Sequence, residues 1–250
     1  MSPAERADRL AAGHDWHKRL YRTRHFDLTG YAPAAAGSDR LVVYLEGDGR
    51  AWLSRTRLSP DPTPIQPYTL ELAVKHARRG VLYLARPCQY VVRRPSRGCH
   101  PRYWSSHRYA SEVVAAMGQA IDQAKRARRA RRLVLIGYSG GGVIAALLAA
   151  RRTDVDELVT IAANLDSALW TRLDDLTPLV GSLDPVDFVD ELQTVRQRHY
   201  VGTDDDVVPA SVVRSYIRRL PDRSRTRLIV LEGFDHDCCW IENWPALLER

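Results

Sequence analysis

Short buried-strand runs alternating with helical periods constrain this chain more than any other feature. Strands are expected at Leu41-Val42-Val43-Tyr44-Leu45, at Val81-Leu82-Tyr83-Leu84, and over residues 133–136, 157–161, 197–201 and 227–231. Between them, Val113, Met117, Ile121 and Ala124 recur at helical spacing within a helix from 109 to about 129. Gly140-Gly141-Gly142 opens an apolar helix reaching about residue 151, and further helices are expected over 210–219 and 240–248. Strands without polar alternation, interleaved with helices, specify an α/β class: a mostly parallel central sheet with helices on both faces. In such sheets the chemistry gathers beyond the carboxyl ends of the strands.

The chain has 250 residues, 45% hydrophobic and 27% charged, which excludes a disordered chain and favours one domain over 1–250. Its longest apolar run, Val143 to Ala150, falls far short of the ~20 residues that span a bilayer. The formal charge is +7, mostly from scattered arginines. The dense cluster Lys125, Arg126, Arg128, Arg129, Arg131 and Arg132 falls at a helix end, where cations meet the negative pole of the macrodipole. It reads as a solvated helix end, and no nucleic-acid partner is expected. Residues 1–24 read as an amphipathic or partly mobile lead-in, with apolar Leu10, Trp16 and Leu20 among charges. Glu5, Arg6, Asp8 and Arg9 interrupt any secretory h-region, so the sequence as given suits the cytoplasm. The four cysteines, Cys88, Cys99, Cys238 and Cys239, allow three full pairings, and the sequence does not choose among them. A Cys88–Cys99 staple would suit an oxidising compartment.

Gly137-Tyr138-Ser139-Gly140-Gly141 is a GxSxG pattern set between a strand and a helix. A serine at such a sharp turn projects its hydroxyl above the sheet, and the flanking glycines avoid collision. The amide of Gly140 then lies at a helix N-terminus, suited to an oxyanion. A serine hydroxyl needs a base, and the base an orienting carboxylate. His236 follows the last strand; His14, His17, His25, His76, His100, His107 and His199 do not. Asp204, Asp205 and Asp206 all follow the preceding strand, and spacing alone leaves the three open. Metal binding by the adjacent His236, Asp237 and Cys238 is disfavoured, because neighbours on one segment rarely reach tetrahedral geometry. No metal and no cofactor is expected.

The order serine, aspartate, histidine and the strand–turn–helix setting of Ser139 resemble the α/β-hydrolases, from Leu41 onward. The resemblance implies Asp205 as the acid, since Gly202 and Pro209 bracket it as in G-x-x-D-x-x-V-P. It implies a second oxyanion donor in Glu46-Gly47-Asp48-Gly49, at the amide of Asp48 or alternatively Gly47, with Glu46 departing from the usual histidine. It also implies a cap over 164–190 and substrate contacts from Glu46, Trp104, Tyr138 and Trp170, with Trp52 helping to set pocket volume. The stretches Ala85-Arg86-Pro87-Cys88-Gln89-Tyr90, Pro101-Arg102-Tyr103-Trp104 and Phe234-Asp235-His236-Asp237-Cys238-Cys239-Trp240 resemble uncharacterised bacterial α/β-hydrolases that include exported lipoproteins. That implies a periplasmic or membrane-anchored form, with peripheral membrane association, wherever an N-terminal signal has been removed. The expected function is a serine hydrolase of carboxylic esters with a small-molecule substrate. A thioesterase, a peptidase or a silent binding protein on the same fold are the alternatives.

Overall fold

The computed structural model of the protein describes residues 1–34, 38–76, 80–91 and 96–249. Its first elements are α1 (Pro3–Gly13), β1 (Trp16–Arg22), β2 (Asp27–Pro33), β3 (Arg40–Leu45), α2 (Tyr68–Val74) and β4 (Val81–Leu84). Then come α3 (Ser111–Arg128), β5 (Arg132–Tyr138), α4 (Gly140–Ala149), β6 (Val155–Ile161), α5 (Ser167–Leu173) and α6 (Val189–Leu192). The chain closes with β7 (Arg196–Gly202), α7 (Ala210–Arg219), β8 (Thr226–Leu231) and α8 (Trp240–Leu248). The strands form one sheet in the order β1-β2-β4-β3-β5-β6-β7-β8. Only β2 runs antiparallel to its neighbours, and every pair from β4 onward is parallel.

The two helical layers follow from the period of two along each strand. Leu41, Val43, Leu45, Leu133 and Leu135 pack with α3, α4 and α7. Val42, Tyr44, Val134, Ile136 and Tyr138 pack instead with α1, α2 and α8. Central strands buried on both faces therefore carry no polar alternation, which is why they were visible in the sequence.

The first 24 residues require a correction. They are an ordered part of the fold and not a partly mobile lead-in: α1, amphipathic as expected, has a capping box of Ser2 and Glu5, and β1 and β2 build the antiparallel end of the sheet. Strand β1 exposes His17, Lys18, Arg19 and Leu20 and buries only Trp16 and Tyr21, so its charges hid it. Residues 164–190 hold α5 and a short 3-10 turn at Pro185–Phe188. Trp170 packs there on Val208 and Val212, while Leu179, Leu183 and Phe188 pack on the main core. Cys88 is bonded to Cys99, and Cys238 to Cys239. No helix among the described residues is long and apolar enough to cross a membrane.

Candidate active site

Strand β5 lies at the centre of the sheet, and the turn from it into α4 places Ser139 beyond its carboxyl end. Ser139 has φ 49° and ψ −126°, a conformation that costs a β-carbon-bearing residue free energy and persists only where its surroundings enforce it. Enforcement comes from packing without side chains: a Cβ on Gly137 would collide with the Gly141 backbone, and one on Gly141 with the Leu45 carbonyl. The Ser139 amide is tied to the Ile161 carbonyl of β6 at 2.8 Å.

The hydroxyl of Ser139 is 3.1 Å from His236 Nε2. On the far side of that ring, Nδ1 lies 3.0 Å from Asp205 Oδ2 and 3.2 Å from Oδ1. Asp205 is buried, whereas Asp204 and Asp206 are exposed. Its Oδ1 also accepts the amides of Val207 (3.0 Å) and Val208 (2.7 Å), which fix the carboxylate plane. The other histidines do not join this line. His199 is buried beside Thr160 and Tyr216, and burial drives its imidazole down to about 3, so it stays neutral.

Opposite the elbow, the loop after β3 approaches Ser139 through Gly47, where a Cβ would come 3.5 Å from that of Ser139. The Gly47 amide donates to the carboxylate of Glu46 at 3.0 Å. The amides of Asp48 and Gly140 have no hydrogen-bond partner among the described residues and remain available. Glu46 itself is buried, accepting from Thr69 Oγ1 at 2.5 Å and Tyr83 Oη at 2.8 Å. Burial pushes its carboxyl up, against these hydrogen bonds. It therefore braces the loop and offers no face to a substrate.

Of the four expected substrate contacts, the structure places Trp170 at an open cavity. That cavity, about 550 Å³, is also lined by Trp52, Arg108, Leu176 and Leu179. Trp104 turns away, donating from Nε1 to the Ser59 carbonyl at 2.9 Å and packing on Ala51 and Cys88. Tyr138 stacks on Tyr68 with ring centroids 4.6 Å apart. Its hydroxyl donates to the His236 carbonyl (3.0 Å) and Asp237 Oδ1 (2.9 Å), so it pins the histidine loop. Trp240 Nε1 holds the same carbonyl at 3.1 Å. The half-buried Asp48 and the buried Arg86, Arg108 and Tyr109 form a polar cluster that sequence reasoning missed. Arg86, a charge placed directly after a buried strand, was its one visible sign. Among the described residues no cluster of metal-ligating side chains occurs.

No family model matches the chain, and no curated protein matches it in sequence. Solved structures do. An esterase from Pyrococcus furiosus superposes with TM-score 0.64 at 13% identity, over 95% of this chain and 90% of its own. Est1E from Butyrivibrio proteoclasticus gives TM-score 0.60 at 14% identity over 93% and 98%. An alpha-beta serine hydrolase homologue from Coxiella burnetii gives 0.60 at 13% over 93% and 94%. This chain has the α/β-hydrolase fold.

Proposed function

We propose that the protein is a serine hydrolase that cleaves carboxylic esters through an acyl-enzyme. The observation that carries this reading is the unbroken line from Ser139 Oγ through His236 to the buried Asp205, mounted on a strained elbow. Ser139 Oγ attacks the ester carbonyl carbon while His236 Nε2 takes its proton. The tetrahedral oxyanion is held by the amides of Gly140 and Asp48. As the carbonyl re-forms, the C–O bond to the alcohol breaks and His236 returns the proton to the departing oxygen. Water then attacks the acyl group by the same route in reverse, releasing the acid and restoring Ser139. Asp205 holds the imidazole tautomer and stabilises the imidazolium. Esters are preferred to amides in this reading because an alkoxide leaving group makes fewer demands on the site. The substrate is a small molecule whose reacting carbonyl reaches a half-exposed serine. The structural neighbour from Pyrococcus furiosus is an esterase, which supports the same class.

The test is hydrolysis of 4-nitrophenyl esters from acetate to dodecanoate by wild type and Ser139→Ala. Wild type is expected to turn over a subset, and the substitution to lower kcat by about 10⁴-fold or more. A fluorophosphonate should label wild type at Ser139 alone. A folded protein that neither turns over esters nor labels would overturn the proposal in favour of a silent binding protein.

A further inference from the structure

Beside the elbow lies a charge arrangement that ester hydrolysis does not require. Asp48 takes two arginines at once: Arg86 Nη1 donates to Oδ1 at 3.2 Å and Arg108 Nη1 to Oδ2 at 2.5 Å. Burial opposes the charge on Asp48, yet Arg108 and Arg86 hold its carboxyl below the usual range. Tyr109 Oη donates to Oδ2 at 3.2 Å, and burial keeps that phenol neutral. Both guanidinium groups are buried, so one carboxylate faces two cations and one positive charge is left over. Burial pushes the Glu46 carboxyl up, toward its neutral form, and its oxygens accept from Thr69, Tyr83 and Gly47 and from neither arginine. A buried charge lacking a partner is costly, and an anion brought to it relieves that cost.

The surplus has a direction. Arg86 turns inward and donates from Nη2 to the Arg108 carbonyl. Arg108 uses Nε on the Ser105 carbonyl at 2.9 Å and Nη1 on Asp48. Beyond these bonds and a contact with the Tyr109 hydroxyl, its Nη2 meets no further polar group among the described residues, and the residue is 7% exposed. Arg108 lines the cavity of about 550 Å³, which carries no aspartate or glutamate in its wall. A second cation, Arg55, stands at the same wall, donates from Nη2 to the Asp174 carbonyl at 3.2 Å and faces that residue's carboxylate, so the uncompensated charge is that beside Asp48. Two of the cavity's wall residues, Arg108 and Trp170, lead through one further residue each to the reacting groups. The Asp48 carboxylate held by Arg108 lies against the Cα of Gly140, where a Cβ would collide with it. Across the cavity, Trp170 Nε1 donates to the Val207 carbonyl at 2.7 Å, and the Val207 amide donates to Asp205.

We infer that this cavity is an anion subsite, in which the substrate ester places a carboxylate-bearing acyl arm on the free edge of Arg108 between Trp52 and Trp170. Charge-assisted hydrogen bonds to a guanidinium are stronger than neutral ones, and the apolar walls exclude competing water. The inference rests on the reading of Ser139 as the esterolytic nucleophile. It is tested by calorimetric binding to Ser139→Ala, which needs no turnover, using mono-4-nitrophenyl glutarate against the neutral isostere 4-nitrophenyl valerate. The anionic ester is expected to bind at least about tenfold more tightly, with Arg108→Gln in the same background abolishing the difference. Equal binding of the two esters, or a preference that survives Arg108→Gln, overturns the inference. Arg108 also holds Asp48, so a second variant guards against simple misfolding. Thr177→Glu adds a carboxylate at an exposed point of the cavity wall and should cut the preference by at least about threefold. An unchanged preference there also overturns it. Turnover of the two esters by wild type reports separately on the hydrolytic reading: tight anionic binding with no turnover refutes the esterase and keeps the subsite.

Discussion

Three adjacent aspartates follow β7, and their surroundings rather than their spacing separate them. Asp204 and Asp206 face solvent; Asp205 is buried, bonded to two backbone amides and turned to His236. Asp205→Asn should lower kcat by about 10⁴-fold, because the amide presents the wrong partner to the imidazole N–H. Asp204→Asn and Asp206→Asn should stay within about threefold of wild type, as exposed turn residues. Steady-state kinetics on one ester decides this, and equal losses at all three positions would refute the assignment. Glu46 teaches the same lesson from the other side. By composition it was an acid in an oxyanion loop; by contact it consumes the Gly47 amide and leaves that of Asp48 available.

At the level of elements, α5 is anchored by a carboxylate with an unusual titration. Asp184 accepts the amides of Ser167 (3.1 Å) and Ala168 (2.9 Å), yet burial raises its carboxyl to about 6. A folded value above the ordinary 3.8 means that the native state holds the proton more tightly than the unfolded chain. Stability at this site is therefore full below about pH 4 and falls until about pH 6, by at most about 3 kcal/mol. Asp184→Asn removes the titration, so urea unfolding between those limits should show the variant gaining on wild type as pH rises. A constant difference would disprove the anchor's titration. Elements also show what the sequence could and could not disclose. Strands β3 to β6 and the long helices were legible because burial on both faces leaves an apolar run, and the edge strand β8 through its apolar Leu228-Ile229-Val230-Leu231. Strand β1 was not, since its edge position leaves His17 to Leu20 exposed, and β2 was not, since Asp27, Thr29, Gly30 and Pro33 interrupt its apolar run although it is buried between β1 and β4. The elbow at Ser139 was legible because local sterics dictate its glycines. The Asp48–Arg86–Arg108 cluster joins residues 38 and 60 positions apart, and no local pattern records such a contact. The basic run at the end of α3 is largely engaged: Lys125 pairs with Asp154, Arg131 with Asp39 and Arg132 with Asp156, while Arg128 is buried.

Over the whole molecule, the Cys88–Cys99 bond closes a loop 11 residues apart in sequence. Chain entropy for a ring of that size gives about 3 kcal/mol of stabilisation. Replacing both by serine should lower Tm by about 6–12 °C for a chain of this length, measured calorimetrically with and without reductant. Wild type in reductant should then melt with the double variant, and coincident melting of oxidised wild type would rule the staple out. Beneath the sheet, Trp244 from the last helix donates to Tyr44 of β3 at 2.7 Å across 200 residues. The layer of α1, α2 and α8 is thus closed by the final segment, which also brings His236, 97 positions after Ser139. A ribosome makes these parts in order. The elbow and the α3–α4 layer exist on the nascent chain before the segment that carries His236, so the contact of Ser139 with that imidazole forms only once the later segment has been made and docks.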